Sequence, residues 1–137
     1  MPPERRLTLA PGVRDAMLEH ARRALPREAV GMLGGEGEVA SLVCELESLG
    51  GSRHFLVDPR SQYEAERRIS GAGLSVVAVY HSHPGGGATL SAVDIAFASR
   101  LPMLQIVIAL ARPHHPGCEL RAYQVCGGAA HEVHIAG

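Results

Sequence analysis

The chain has little net charge and few of the signals that mark exported or membrane-spanning proteins. With 13 basic and 14 acidic residues its formal charge is −1, which provides no field to gather nucleic acid or an anionic membrane surface. The arginine pairs Arg5-Arg6, Arg22-Arg23 and Arg67-Arg68 are scattered and read as solvated faces. There are three cysteines, Cys44, Cys118 and Cys126, and none forms Cys-x-x-Cys spacing. That odd count argues against a disulfide scaffold and for free thiols in a reducing compartment. No apolar run approaches a membrane span; the longest, around Ile106 to Ala111, suits one buried strand. The opening Met1-Pro2-Pro3-Glu4-Arg5-Arg6 is charged and leads into no apolar signal-peptide core. A cytoplasmic location is expected, without nucleic acid or membrane as partner.

What is present suits one globular domain over residues 1–137. Apolar residues make up 46% of the chain and charged ones 20%, enough to build a full core and too apolar for disorder. Leu7-Thr8-Leu9 alternates as a short strand. From Pro11 to Ala24, Val13, Met17, Leu18, Ala21 and then Leu25 recur at helical spacing opposite Arg14, Asp15, Glu19 and Arg22. This pattern predicts an amphipathic helix opened by proline and closed by Pro26. Ala29–Leu33 and Glu38–Glu47 read as a hairpin turning at Gly34-Gly35-Glu36-Gly37. A hairpin-like stretch ends at Phe55-Leu56-Val57, and Asp58-Pro59 reads as the cap and first residue of a helix through Tyr63, Ala65 and Ile69. Further strands are expected at Leu74–Tyr80, Gln105–Leu110, Glu119–Val125 and His131–Ile135, with a short helix from Ser91 to Arg100. Helices and strands mix without regular alternation, so the fold class is α/β, a central mixed sheet flanked by helices.

The chemistry concentrates at Tyr80-His81-Ser82-His83-Pro84, followed by Ser91-Ala92-Val93-Asp94. In an extended strand residues i and i+2 share a side, so His81 and His83 can converge on one point. Pro84 and Gly85-Gly86-Gly87 then stop the strand. Ser91 as helix N-cap brings Asp94 into the first turn. Two imidazoles and one carboxylate form a three-ligand set that leaves zinc one open position, the mark of a catalytic site. Ser-x-x-Asp is also nearly a capping box, which is favourable without any metal. The combination carries more weight, because two histidines leaving a buried strand need partners and a metal supplies one. Such a site also needs a general base that is not itself a ligand. Glu28, at the head of the buried run Ala29–Leu33, is in a position to provide it, although a lone glutamate there is more commonly a solvated strand-edge residue.

A glutamate in the context Pro26-x-Glu28-x-x-Gly31-x-Leu33-x-Gly35, then His81-Ser82-His83-Pro84, then Ser91-x-x-Asp94, resembles the JAMM motif of the MPN-domain metalloproteases. The likeness extends over nearly the whole chain. It implies an α/β sandwich related to cytidine deaminases. One Zn2+ would be held by His81, His83 and Asp94, with Glu28 as the proton carrier and Ser91 as oxyanion donor. Val30 and Leu90 stand where relatives often carry a small residue or cysteine and a proline, respectively; neither departure removes a catalytic group.

The segments between Gly34 and Glu38 and between Gly85 and Leu90 are too short to hold ubiquitin-gripping insertions. The chain therefore resembles the small stand-alone prokaryotic members. That resemblance implies hydrolysis after the C-terminal Gly-Gly of a ubiquitin-like or sulfur-carrier protein, and it leaves a homodimer open. Strand addition at a sheet edge near the site would be one way to hold the tail. The alternatives are a small-peptide or metabolite amidohydrolase and a noncatalytic binding module. Tyr80 is expected to support the ligands from behind and Cys44 to be a small core residue. His54, near the groove, and His114 and His115, in a Pro-bounded loop, rank low, as do His131 and His134, whose spacing would place them on opposite faces of a strand.

Overall fold

The computed structural model describes residues 5–49, 57–98, 102–110 and 117–137. His54, Phe55, Leu56, Arg100, His114 and His115, on which some expectations rested, lie outside them. Seven strands and three helices follow in the order β1 (Arg6–Leu9), α1 (Val13–Ala24), β2 (Val30–Glu36), β3 (Val39–Leu46), α2 (Pro59–Gly71), β4 (Ser75–His83), α3 (Ala92–Ala98), β5 (Leu104–Ala109), β6 (Glu119–Cys126) and β7 (Ala129–Ala136).

The strands form one mixed sheet in the order β1-β3-β2-β4-β5-β6-β7. Its ends meet, because β1 pairs in parallel with β7 through Arg6 opposite His134 and Leu7 opposite Ile135. No local pattern in the chain announces this closure. Strand β4 lies deep in the sheet, antiparallel to β2 and parallel to β5. Strand addition beside the histidines is therefore ruled out: His81 pairs with Val30 on one side and Val107 on the other, and His83 faces Ala109.

The two long helices cover opposite faces of the sheet. Val13, Met17 and Ala21 of α1 bury against Leu33, Ala78, Tyr80, Ile106 and Ile108. Ala65 and Ile69 of α2 pack on Val30, Met32, Cys44 and Leu46. Cys44 is thus a core residue, as its alternation predicted. Helix α1 begins after Gly12, whose φ of 88° suits glycine, so Pro11 precedes the cap and is not the first helical residue. Leu25, assigned to the apolar stripe, is 48% exposed, because it is the C-cap and its backbone has already left the helix. Asp58 caps α2 as expected, its carboxylate accepting from Arg60 N–H, with Pro59 at the first position.

The β2–β3 turn falls later than the glycines suggested. Strand β2 runs to Glu36, and Glu36 pairs with Val39 across the two residues Gly37 and Glu38. Gly34 and Gly35 belong to the strand because of what packs on them. A side chain on Gly34 would meet Ile69 of α2, and one on Gly35 would meet the Val39 backbone. A β-bulge lies between Leu33 and Gly34: Leu33 faces Ala78 while Gly34 faces Val76, which leaves Val77 as the extra residue.

Candidate active site

His81 and His83, two residues apart on β4, point to the same side and bring their Nε2 atoms within 3.0 Å. Asp94, in the first turn of α3, sends Oδ2 to 3.3 Å from His81 Nε2 and 3.4 Å from His83 Nε2. These three atoms form a nearly equilateral triangle. Four ligands set tetrahedrally around zinc at 2.0–2.1 Å are spaced by about 3.3 Å, so the triangle matches one face of such a site. The donor chemistry also fits. The Gly87 carbonyl lies 3.1 Å from His83 Nδ1 and can only accept, so that nitrogen carries the hydrogen and Nε2 is the one turned to the cluster.

Asp94 is fixed in two ways. Its carboxylate accepts from Ser91 N–H at 2.9 Å, and its own N–H donates to Ser91 Oγ at 3.1 Å. This reciprocal pair is the capping arrangement that Ser-x-x-Asp suggested, and the same Oδ2 also faces the histidines. The structural and chemical readings of the motif therefore coincide. Burial alone would raise the Asp94 carboxyl, but hydrogen bonds from His81, His83 and Ser91 N–H outweigh it and hold the group far below the usual carboxylate range. In turn, the Asp94 hydrogen bond raises the His83 imidazole against a smaller opposing effect of burial.

Glu28 lies at the rim of the triangle, its carboxylate buried and Oε1 4.0 Å from His83 Nε2. Ligand atoms of Glu28, His81 and His83 all lie within 4.8 Å of one another, so these three are a second way to draw a metal set. The shorter contacts of Asp94 to both histidines favour the set that contains it, with Glu28 left beside it. All five residues expected from the sequence are brought together.

Several supporting contacts were not foreseen. Ser82, between the two histidines, faces the other side of the sheet, where Oγ accepts from Ala29 N–H at 2.8 Å and its own N–H donates to Ala29 O at 3.0 Å. This pins the residue next to Glu28. Tyr80 also faces away from the ligands. Its hydroxyl lies 2.6 Å from Nδ1 of buried His20, and its ring fills the space above Gly31. Its support is therefore to the packing of α1 on β2 and β4, with no side-chain contact to His81 or His83 among the described interactions. His20 is spaced three residues after Met17 on the buried stripe of α1, a signal that helical periodicity did contain. Burial lowers its imidazole, against the nearby Glu45 carboxylate. Tyr123 donates to Ala88 O at 2.7 Å and holds the segment between β4 and α3 onto β5 and β6.

The family of prokaryotic homologs of the JAB domain matches residues 10–124. The chain belongs to that family. This JAB domain is 29% identical over 121 residues to the CysO-cysteine peptidase of Mycobacterium tuberculosis, covering 86% of this chain and 82% of that protein. It is 35% identical over 86 residues to a probable TtuB-protein conjugate cleaving protease of Thermus thermophilus, a match that covers 61% of this chain and only 57% of the Thermus protein. Among solved structures, a protein from Desulfitobacterium hafniense superposes with a TM-score of 0.81 at 32% identity, covering 94% of this chain and 90% of that one. A JAB1/MPN domain protein from Archaeoglobus fulgidus shares the fold, with a TM-score of 0.64 at 20% identity over 96% of this chain and all of the other. The JAMM/MPN fold class expected from the sequence is thus the one observed. No helix among the described residues is long and apolar enough to cross a membrane.

Proposed function

We propose that this JAB domain is a zinc-dependent hydrolase that cleaves the amide bond after the C-terminal Gly-Gly of a ubiquitin-like or sulfur-carrier protein. The observation that carries the reading is the triangle of His81 Nε2, His83 Nε2 and Asp94 Oδ2, with edges of 3.0, 3.3 and 3.4 Å and Glu28 just outside it. The first three residues would hold the metal. A zinc ion there would supply Lewis acidity toward the scissile carbonyl and toward water.

The chain's own groups divide the remaining work. Glu28 takes a proton from the attacking water and delivers it to the departing nitrogen, a transfer favoured by a carboxylate that bulk water barely reaches. Ser91 Oγ already accepts from Asp94 N–H, so its own hydrogen is the one available to donate to the developing oxyanion. Asp94, held ionised by its three hydrogen bonds, would offer a negatively charged ligand to the metal. The relatives named for CysO-cysteine and for TtuB conjugates support a carrier-protein substrate. Cys44, Cys118 and Cys126 are free thiols, which supports a reducing, cytoplasmic setting.

The test is metal content and cleavage of a Gly-Gly-Cys-extended carrier from the same genome, measured together on wild type, His83→Ala and Glu28→Gln. One zinc per chain is expected in wild type and in Glu28→Gln, zinc is lost in His83→Ala, and both variants stop cleaving. Full activity in Glu28→Gln would overturn the mechanism and favour a noncatalytic binding module. Hydrolysis of short peptides with none of the carrier would favour an amidohydrolase.

A further inference from the structure

The acceptor behind His83 stands in a segment that does little to hold itself. His83 Nδ1 gives its hydrogen to Gly87 O at 3.1 Å, and Gly87 closes the run Gly85-Gly86-Gly87 that leads out of β4. A side chain at Gly85 or Gly87 would meet nothing within 4 Å, and the turn bond from Gly86 N–H to His83 O is long, at 3.5 Å. Glycine has more backbone freedom to lose than any other residue, so the run alone leaves the Gly87 carbonyl free to swing toward water. The anchor is the next residue. Ala88 is 2% exposed between exposed Gly87 and Thr89, and it packs with Val107, Ala109 and Tyr123. Its carbonyl accepts from the buried Tyr123 hydroxyl at 2.7 Å. Tyr123 pairs with Gln105, and Gln105 with Val79, so its side chain is on the His81 and His83 face of the sheet, two strands away.

We propose that Tyr123 is a positioning residue for the metal site: its bond to Ala88 O holds the Gly87 carbonyl against His83 Nδ1–H, and so aims Nε2 at the cluster. The inference rests on the metal set of the reading above and is independent of the substrate. Only the φ and ψ of Ala88 separate the two carbonyls, because each peptide unit is planar. With the methyl of Ala88 buried and its oxygen held, those two angles are fixed and the Gly87 oxygen with them. That oxygen does two things for His83. It keeps the hydrogen on Nδ1, leaving Nε2 with its lone pair, and it sets the angle of the ring. Asp94 cannot supply this, since its carboxylate approaches the other nitrogen. Without the Tyr123 hydroxyl, Ala88 O loses its buried donor and the loop gains freedom. His83 can then carry its hydrogen on Nε2 instead, the tautomer in which that atom has no lone pair to give. Packing survives the loss, because phenylalanine retains the ring against Ala88 and Val107.

The test measures zinc affinity of the full chain by competition with a chromophoric chelator, for wild type, Tyr123→Phe and Val13→Ala. Val13 is buried in the α1 core on the opposite face, so Val13→Ala lowers stability without touching the loop. Tyr123→Phe should bind zinc about 10- to 100-fold more weakly than wild type, and the visible absorption of its Co2+-substituted form should shift as the ligand geometry changes. Val13→Ala should keep wild-type affinity and spectrum despite an equal or lower melting temperature. Equal zinc affinity and identical cobalt spectra in wild type and Tyr123→Phe would overturn the positioning role and leave the hydrolase reading intact. A matching loss of affinity in Val13→Ala would trace the effect to global stability and overturn the role as well. Absence of zinc binding in wild type would overturn the metal set and this inference with it.

Discussion

Ser82 and Ala29 hold each other by two hydrogen bonds: Ser82 Oγ accepts from Ala29 N–H at 2.8 Å, and Ser82 N–H donates to Ala29 O at 3.0 Å. The pair ties the strand that carries both histidines to the residue following Glu28, across 53 residues of sequence. Ser82→Ala strands a buried N–H, which costs about 1–3 kcal/mol of stability. It also frees the Glu28 segment, and a shift near 1 Å can lower the rate about 100-fold. Zinc content should stay at one per chain, since no proposed ligand moves. Unchanged kcat in a variant of reduced stability would show that the bond braces the fold without placing Glu28.

Ser91 has two duties that its variants separate. Ser91→Ala removes the acceptor for Asp94 N–H, worth about 1 kcal/mol as a helix cap. It also removes the proposed oxyanion donor, with an expected loss of about 100- to 1,000-fold in kcat. Ser91→Asp would keep a cap without a hydroxyl donor. If Ser91→Asp restores the rate along with the melting temperature, the catalytic role is wrong.

Gly31 is fixed by Tyr80. A Cβ at this position would fall inside the Tyr80 ring, so Gly31→Ala must displace a fully buried side chain. Overpacking of this kind costs about 1–3 kcal/mol. Urea unfolding of Gly31→Ala beside Gly31→Ala/Tyr80→Leu checks this: the second change should recover much of the loss, and two purely additive penalties would refute steric conflict as the cause.

His20 should make stability depend on pH. Burial lowers its folded-state pKa below the ordinary value of about 6.5. Between the two values the unfolded chain binds more protons, so its contribution is complete above about pH 6.5 and is lost as pH falls toward the folded pKa. Unfolding free energies at pH 7.5 and 5.5 should differ more for wild type than for His20→Gln, which can still accept from Tyr80. Parallel pH profiles for the two proteins would show that His20 is not the titrating group.

The features legible in the sequence are those with short-range causes. The convergence of His81 and His83 follows from the two-residue period of a strand, and the placing of Asp94 follows from a cap three residues earlier. Asp58-Pro59 announced α2 for the same local reason. Gly34 and Gly35 were misread as a turn because glycine signals a break unless a neighbour demands it. Here the neighbours are Ile69, 35 residues onward from Gly34, and the Val39 backbone opposite Gly35. The Ser82–Ala29 tie, the His20–Tyr80 bond and the pairing of β1 with β7 join stretches of chain tens of residues apart, and nothing local encodes those partners. The JAMM resemblance supplied Glu28, whose immediate surroundings alone would have left it a surface residue.

The bulge at Val77 divides β4 into a part that tolerates changes in length and a part that does not. Upstream of it, one residue already stands unpaired opposite Leu33 and Gly34, so a deletion near Ser75 or Val76 can be absorbed by drawing that residue into line. From Ala78 to Ser82 each residue is matched on both flanks, and His83 is matched to Ala109 of β5. A single insertion there would exchange the two faces, turning Ser82 toward Asp94 and both imidazoles into the α1 core. Natural variation in the length of this domain should therefore accumulate before Val77 and be absent between Ala78 and His83.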